Sequence, residues 1–313
     1  MPALEREEWR VLEAAHAERA DALTAGHRRR RSRHETHPVE DFLFAYYPTK
    51  PARLRRWHPG VGITLLDAAE RAGARWYSTA EGHDAVEGHD AVALDVAAFM
   101  EHRAATVEYV HALLAATRAR APQLGCFGLH EWAMVYRQQD VRHPVPLRLG
   151  RGGTDEVVES HQLHCSHFDA FRFFTPDAVT RNVRALARED QPLVEQPGCL
   201  HAAMDCYKWS TKLMPAVPGE LVLDAFELAA DIRGLDMRAS PYDLTDWGYH
   251  PVAIETPTGK AEYVAAQREF ALRSDALRVR LLAVTGALLA PREVRRPRAE
   301  TSRTVGETAP VPR

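Results

Sequence analysis

Lysine is scarce in this chain. Of its 40 basic residues only Lys50, Lys208, Lys212 and Lys260 are lysines, and the rest are arginines. A bias toward arginine, alanine and proline is what GC-rich codons produce, so no single arginine marks a function. An excess of either charge is also missing. Forty basic and 43 acidic side chains leave a formal net charge of -3. That excludes a global basic field for DNA or anionic lipid and leaves any nucleic-acid contact to a local patch. Long apolar runs are lacking: the longest near-apolar stretch, Leu281 to Ala290, has ten residues, and a membrane-spanning helix needs roughly 20. The four cysteines, Cys126, Cys165, Cys199 and Cys206, form no CxxC pair, which argues against a structural zinc knuckle. With no signal-peptide core in residues 1–25, a reduced, cytoplasmic protein is expected. Neither G-x-x-x-x-G-K-[ST] nor a strand-linked G-x-G-x-x-G occurs, so the common nucleotide-binding loops are excluded.

What is present suffices for a packed core: 313 residues, 45% of them hydrophobic, which rules out global disorder. Apolar spacing predicts a helix over 4–25, closed by Gly26. The basic run Arg28, Arg29, Arg30, Arg31 and Arg33 then reads as a solvated linker, or as an arm that contacts phosphates. Short helices are expected over 53–57 and about 65–71, and a small strand over 74–78. Residues 81–92 read EGHDAV twice in tandem, the mark of a tolerated insertion in a surface loop. Longer helical patterns cover 93–119, 127–139, 199–214, 219–237 and 259–289. From Pro291 the apolar periodicity is lost, and 291–313 reads as a disordered tail. The expected fold is therefore mainly α: an N-terminal helix and Arg-rich linker (1–36), a single helical core domain (37–290) with one or two short strands, and the tail.

Chemistry concentrates in four stretches between residues 126 and 250. In Gly128-Leu129-His130-Glu131-Trp132-Ala133-Met134-Val135-Tyr136, a carboxylate sits between Trp132 and Tyr136 in an apolar helix, where burial is costly unless it is paired; a helix N-terminus could also hold it. In Ser160-His161-Gln162-Leu163-His164-Cys165-Ser166-His167-Phe168-Asp169-Ala170-Phe171-Arg172-Phe173-Phe174, the H-x2-H-x2-H spacing suggests a metal. Helix and strand periodicities both prevent all three imidazoles from converging. Asp169 lies among four phenylalanines, so its pKa should rise unless a cation such as Arg172 meets it. In Pro197 to Trp209, His201 and Asp205 are i, i+4 neighbours and Asp205 and Lys208 are i, i+3 neighbours; this can orient His201 as a base or ligand, or be a plain helix-face ion pair. In Leu235 to Leu244, Asp236 and Arg238 are expected to lock a turn that Asp243 caps.

These stretches, with His37-Pro38-Val39-Glu40-Asp41-Phe42-Leu43-Phe44 and Arg55-Arg56-Trp57-His58-Pro59-Gly60, resemble over about residues 5–275 a bacterial family commonly labelled 3-methyladenine DNA glycosylase. The resemblance implies an enzyme that hydrolyses the N-glycosidic bond of alkylated purines in DNA, without a cofactor. His58-Pro59-Gly60-Val61-Gly62-Ile63-Thr64 is also similar to the L-P-G-V-G-x-x-T-A hairpin of helix-hairpin-helix glycosylases. Here, however, His58 replaces leucine and Thr64 stands one position early. Excision of a cationic base needs an aromatic pocket and a carboxylate facing the developing sugar cation. Glu131 and Asp169, with His167, are the candidate catalytic groups. Trp132, Tyr136, Phe171, Arg172, His201, Asp205 and Lys208 are the candidate substrate contacts. Two other readings stand beside this one. The first is an iron or zinc enzyme of a helical bundle with ligands from His130, Glu131, His167, His201 and Asp205. The second is a non-catalytic binding protein whose polar clusters are satisfied networks.

Overall fold

The long helices begin where the sequence supplies a cap. Asp95 accepts the Ala98 N–H at the start of Val96–Arg118. Thr256 accepts the Gly259 N–H ahead of Pro257–Leu289, with proline at the first helical position. The computed structural model describes residues 2–47, 49–79, 90–138 and 145–290. Among these, the helices in chain order are α1 (Arg6–Ser32), α2 (Phe42–Tyr46), α3 (Pro51–Leu54), α4 (Val96–Arg118), α5 (Leu129–Ala133) and α6 (Gly150–Glu159), then α7 (Phe168–Phe171), α8 (Pro176–Val179), α9 (Gln191–Val194), α10 (Leu200–Lys212), α11 (Gly219–Arg238) and α12 (Pro257–Leu289). α12 packs against α4, α10 and α11, and α10 packs against α11. Their shared core includes Phe99, Leu113, Tyr207, Phe226, Ile232 and Leu281. No helix among the described residues is long and apolar enough to cross a membrane.

The mainly helical class holds, at 59% helix, but one or two strands is an undercount. Four strands, β1 (Ala3–Leu4), β2 (Thr64–Leu65), β3 (Tyr77–Thr79) and β4 (Val92–Leu94), form a mixed sheet in the order β1-β2-β4-β3. β1 runs parallel to β2, and β4 is antiparallel to β2 and β3. Strands of two or three residues are too short for apolar alternation to register. The sheet covers a satellite core of Trp9, Trp57, Leu65, Tyr77 and Val92, apart from the polar stretches. Thr64 opens β2, so the His58–Thr64 segment leads from a helix into a strand and is not the connector of a helix-hairpin-helix.

Gly26 does not end α1. The helix runs on through the arginine run, and Arg30 pairs with Glu40 and Asp41 at 2.6 Å each. The expected linker is the last turn of a helix, where basic side chains suit the dipole. The expected helix over 127–139 is cut to α5; the chain goes on in turns, and at Arg137 it turns left-handed (φ 54) with its N–H bonded to Asp155. Most of the duplicated loop and all of 291–313 lie outside the described residues, though Val92 of the second copy is buried in β4.

His58 is buried near the sheet with its Nδ1 2.9 Å from the Tyr77 hydroxyl. Burial, reinforced by the charges of Arg56 and Arg71, pushes its pKa down to about 3. The folded protein thus keeps His58 neutral, whereas the unfolded chain protonates it below about pH 6.5. Stability from this group is full above that pH and lost as pH falls toward 3. At pH 5 the loss should reach about 2 kcal/mol. Urea denaturation at pH 7 and pH 5 checks this: His58→Gln should lose less stability over that interval than the wild type, and equal losses would refute the assignment.

Candidate metal centre

Five chain segments bring their polar residues to one place. α5 carries His130 and Glu131; His167 and Asp169 lie at the start of α7; Glu195 follows α9; α10 carries His201, Asp205 and Lys208; α11 carries Arg233 and Asp236. Helical spacing puts His201, Asp205 and Lys208 on one side of α10, and Arg233 and Asp236 one turn apart on α11. Two glycines permit the approach. Gly128 sits at φ 73 just before α5, and a Cβ there would lie 3.3 Å from the Ala239 methyl at the end of α11. A Cβ on Gly198, two residues before α10, would meet the Gln123 carbonyl oxygen at 2.5 Å.

His130 Nε2 lies 3.0 Å from Asp236 Oδ1, with both side chains at most 3% exposed. The two form a buried ion pair and are each other's charge partner. His201 completes the group: its ring stands edge-on to His130 at 4.5 Å between centroids, and one donor atom from each of the three lies within 4.8 Å of the others. Burial drives the His201 pKa well down, and the neighbouring His130 adds to that, so its imidazole is neutral with a lone pair to offer. Burial disfavours both charges of the His130–Asp236 pair, but each outweighs it for the other, so the histidine is held up and the aspartate down. Arg233 Nη1 bonds Glu131 Oε1 at 2.8 Å and lies 3.5 Å from the other Asp236 oxygen.

A second group, His167, Glu195 and Asp205, stacks beside the first, with the His167 ring 5.4 Å from that of His201. His167 Nε2 is 3.3 Å from Asp205 Oδ2 and 3.5 Å from Glu195 Oε2. Protein donors already engage both carboxylates of this group. Lys208 Nζ donates to the same Asp205 Oδ2 at 2.8 Å and to Asp169 at 2.9 Å. Gln191 donates to Glu195 Oε2 at 2.7 Å, and Thr117 to the other oxygen. Lys208 thus offsets the charge of Asp205 in this group, while His167 Nδ1 finds no hydrogen-bond partner.

No protein-family model, no curated protein and no solved structure matches the chain. The resemblance to the glycosylase family therefore rests on the motifs themselves, and the site has to be read from its geometry.

Of the expected site residues, Glu131, His167, Asp169, His201, Asp205 and Lys208 do converge. Trp132 and Tyr136 do not line a cavity there. The Trp132 indole is fully buried and donates to the Ala239 carbonyl, while the Tyr136 hydroxyl donates to Glu159. Phe171 packs on Phe174 in the core. Arg172 is partly exposed and lies 3.4 Å from Asp169, which Arg188 also reaches at 3.1 Å. Burial would raise the Asp169 pKa, but the Lys208 ammonium outweighs it and the net shift is down. Of the three spaced histidines only His167 enters either group; His161 turns to the Val157 carbonyl. Asp205 does not hydrogen-bond His201 as their spacing suggested, but turns to His167 and Lys208. Two members were missed. Asp236 faces His130 rather than locking a turn with Arg238, whose guanidinium goes to the His250 carbonyl and Glu262. Glu195, between Pro192 and Pro197, carries no periodic signal in the sequence.

A cavity of about 40 Å3 adjoins the site, walled by Phe42, Tyr46 and Phe173 and by the polar groups of Glu131, Asp169 and His201.

Proposed function

We propose that this protein is a metal-dependent enzyme acting on a small molecule, with iron or zinc held by His130, His201 and Asp236. The observation that carries the reading is the convergence of His130, His201 and Asp236, with one donor atom of each within 4.8 Å of the others and His130 Nε2 3.0 Å from Asp236 Oδ1. A metal cation held there would take the place of the His130 proton as the partner of the Asp236 carboxylate. Donor atoms about 3 Å apart suit neighbouring positions around an ion bonded at about 2.0–2.1 Å. Two imidazoles and one carboxylate are the donors of non-haem iron(II) and catalytic zinc sites that keep positions open.

When bound, the ion supplies Lewis acidity at an oxygen of the substrate. The remaining tasks fall to the chain. Glu131 follows a ligand directly in sequence and lines the same cavity as His201. Arg233 bonds one of its oxygens and fixes its orientation, and the carboxylate is placed to accept a proton from a substrate held there. Phe42, Tyr46 and Phe173 keep bulk water out. Excision of an alkylated purine would draw on the same carboxylates. A 40 Å3 cavity has about the volume of one or two waters, so a flipped base or any other organic substrate would need its walls to open; what favours the metal reading is the convergence of His130, His201 and Asp236.

The test is elemental analysis of protein purified without chelator from medium supplied with iron, zinc and manganese. About one ion per chain is expected. Protein that arrives metal-free and takes up neither iron(II) nor zinc on dialysis would refute the proposal.

A further inference from the structure

The nitrogen of His130 that faces away from Asp236 has its own neighbour: Nδ1 lies 3.7 Å from the sulfur of Cys126. The backbone between the two residues is held in an unusual shape. Phe127 (φ 49) and Gly128 (φ 73) are consecutive left-handed residues, and the Leu129 N–H closes the turn on the Cys126 carbonyl at 2.9 Å. Left-handed backbone at a bulky residue such as Phe127 is unfavourable by about 1–2 kcal/mol, so packing must hold it. Phe127 is pinned between Tyr263, 6.4 Å away between ring centroids, and the Lys260 ammonium at 5.8 Å. The strained turn brings Cys126 against the imidazole that α5 presents to Asp236.

To hold a metal His130 must give up one proton, and the neutral imidazole then carries a single N–H whose place is decided by the partner of the outer nitrogen. We infer that Cys126 is a positioning residue for the ligand His130: its sulfur accepts the Nδ1–H and leaves the Nε2 lone pair directed at the space shared with Asp236 and His201. This rests on the metal reading above. The two ring nitrogens point to different sides of the imidazole, so a sulfur on Nδ1 is an outer partner rather than a further donor to the ion. Cys165 and Cys199 line the same small cavity as Cys126, but they have other roles. Cys165 donates to the His167 carbonyl, and burial holds both thiols protonated.

The test compares metal-free wild type with Cys126→Ala and Cys126→Ser, each titrated with zinc and with cobalt(II) against a competing chelator. Loss of the outer partner should weaken binding about 10–100-fold in Cys126→Ala. Cys126→Ser keeps an acceptor and should recover most of that loss. The cobalt protein should show ligand-field bands in the visible but no thiolate-to-cobalt charge-transfer band. Melting curves of the three metal-free proteins should coincide, which separates a binding defect from a folding one. Unchanged affinity in Cys126→Ala would overturn the inference, and so would equal weakening of both variants, which would make the role one of packing. A charge-transfer band lost in Cys126→Ala would overturn it by making the sulfur a direct ligand. Wild-type protein that binds neither ion refutes the metal centre itself, a different result from wild type and Cys126→Ala binding alike.

Discussion

Asp236→Asn protein should emerge from purification without its metal, while Asp205→Asn keeps it. Both aspartates are buried beside a histidine, so the contrast depends on what else faces them. Asp205 Oδ2 already receives the Lys208 ammonium. Removing its charge leaves Lys208 paired with Asp169 and takes nothing from the His130, His201 and Asp236 group. Asp236 Oδ1 faces His130 Nε2 at 3.0 Å, and its negative charge is what favours a cation between two imidazoles. Asparagine keeps the shape but not the charge, and its amide is a weak ligand. Outer-sphere changes at metal sites already cost 10–100-fold in affinity, so loss of a direct anionic ligand should cost on the order of 100-fold or more. Metal content by elemental analysis reads the effect. Thermal melting gives a second readout: a ligand at 100 times its Kd stabilises by about 2.7 kcal/mol. A chelator should therefore lower the melting temperature of wild type and of Asp205→Asn, and leave Asp236→Asn unmoved. Asp236→Asn that retains stoichiometric metal would remove this carboxylate from the centre. Loss in Asp205→Asn alone would move the centre to the His167 group.

The different fates of these two aspartates explain how far the site could be read from the chain. His130, Glu131, His167, Asp169, His201 and Asp205 stand out in sequence because each interrupts an apolar or aromatic pattern, and burying a charge there demands a partner. Which partner cannot be read locally. The centre joins α5, α10 and α11, more than a hundred residues apart at the extremes, so no fixed ligand spacing exists to find. Asp236 had a legible signal that was assigned elsewhere. With Arg233 it places two charges one turn apart in a helix whose Leu228, Ile232 and Leu235 are buried, and Arg238 two residues on offered a nearer mate. Glu195 lies between Pro192 and Pro197, where no periodicity marks a side as buried. In the fold, the long helices were legible because apolar spacing runs over many turns. The sheet was not, because pairing between strands as short as Ala3–Leu4 and Thr64–Leu65 is set by the packing of Trp9 and Trp57 around it.

Removing the Arg233 guanidinium should cost the protein more stability than any other single change considered above. Arg233 is 3% exposed; its Nη1 meets Glu131 Oε1 at 2.8 Å and Asp236 Oδ2 at 3.5 Å. The guanidinium also lies 4.0 Å over the Phe42 ring. Its desolvation is recovered only while both carboxylates face it. In Arg233→Met the apolar contact with Phe42 survives, but Glu131 loses its cation and Asp236 is left with His130. Breaking a buried ion pair from one side typically costs about 3–5 kcal/mol. Replacing both members of such a pair by apolar groups is often neutral, so Arg233→Met/Glu131→Leu should regain most of what Arg233→Met loses. Urea denaturation of the wild type, both single variants and the double variant gives the coupling between the two positions. The measurement belongs at one fixed metal concentration, because a bound cation beside Asp236 offsets part of the loss. An Arg233→Met penalty below about 1 kcal/mol would mean that water reaches the pair and that Glu131 is not held by it. Recovery in the double variant with metal still bound would place Glu131 outside the ligand set and leave it the cavity-facing role proposed here.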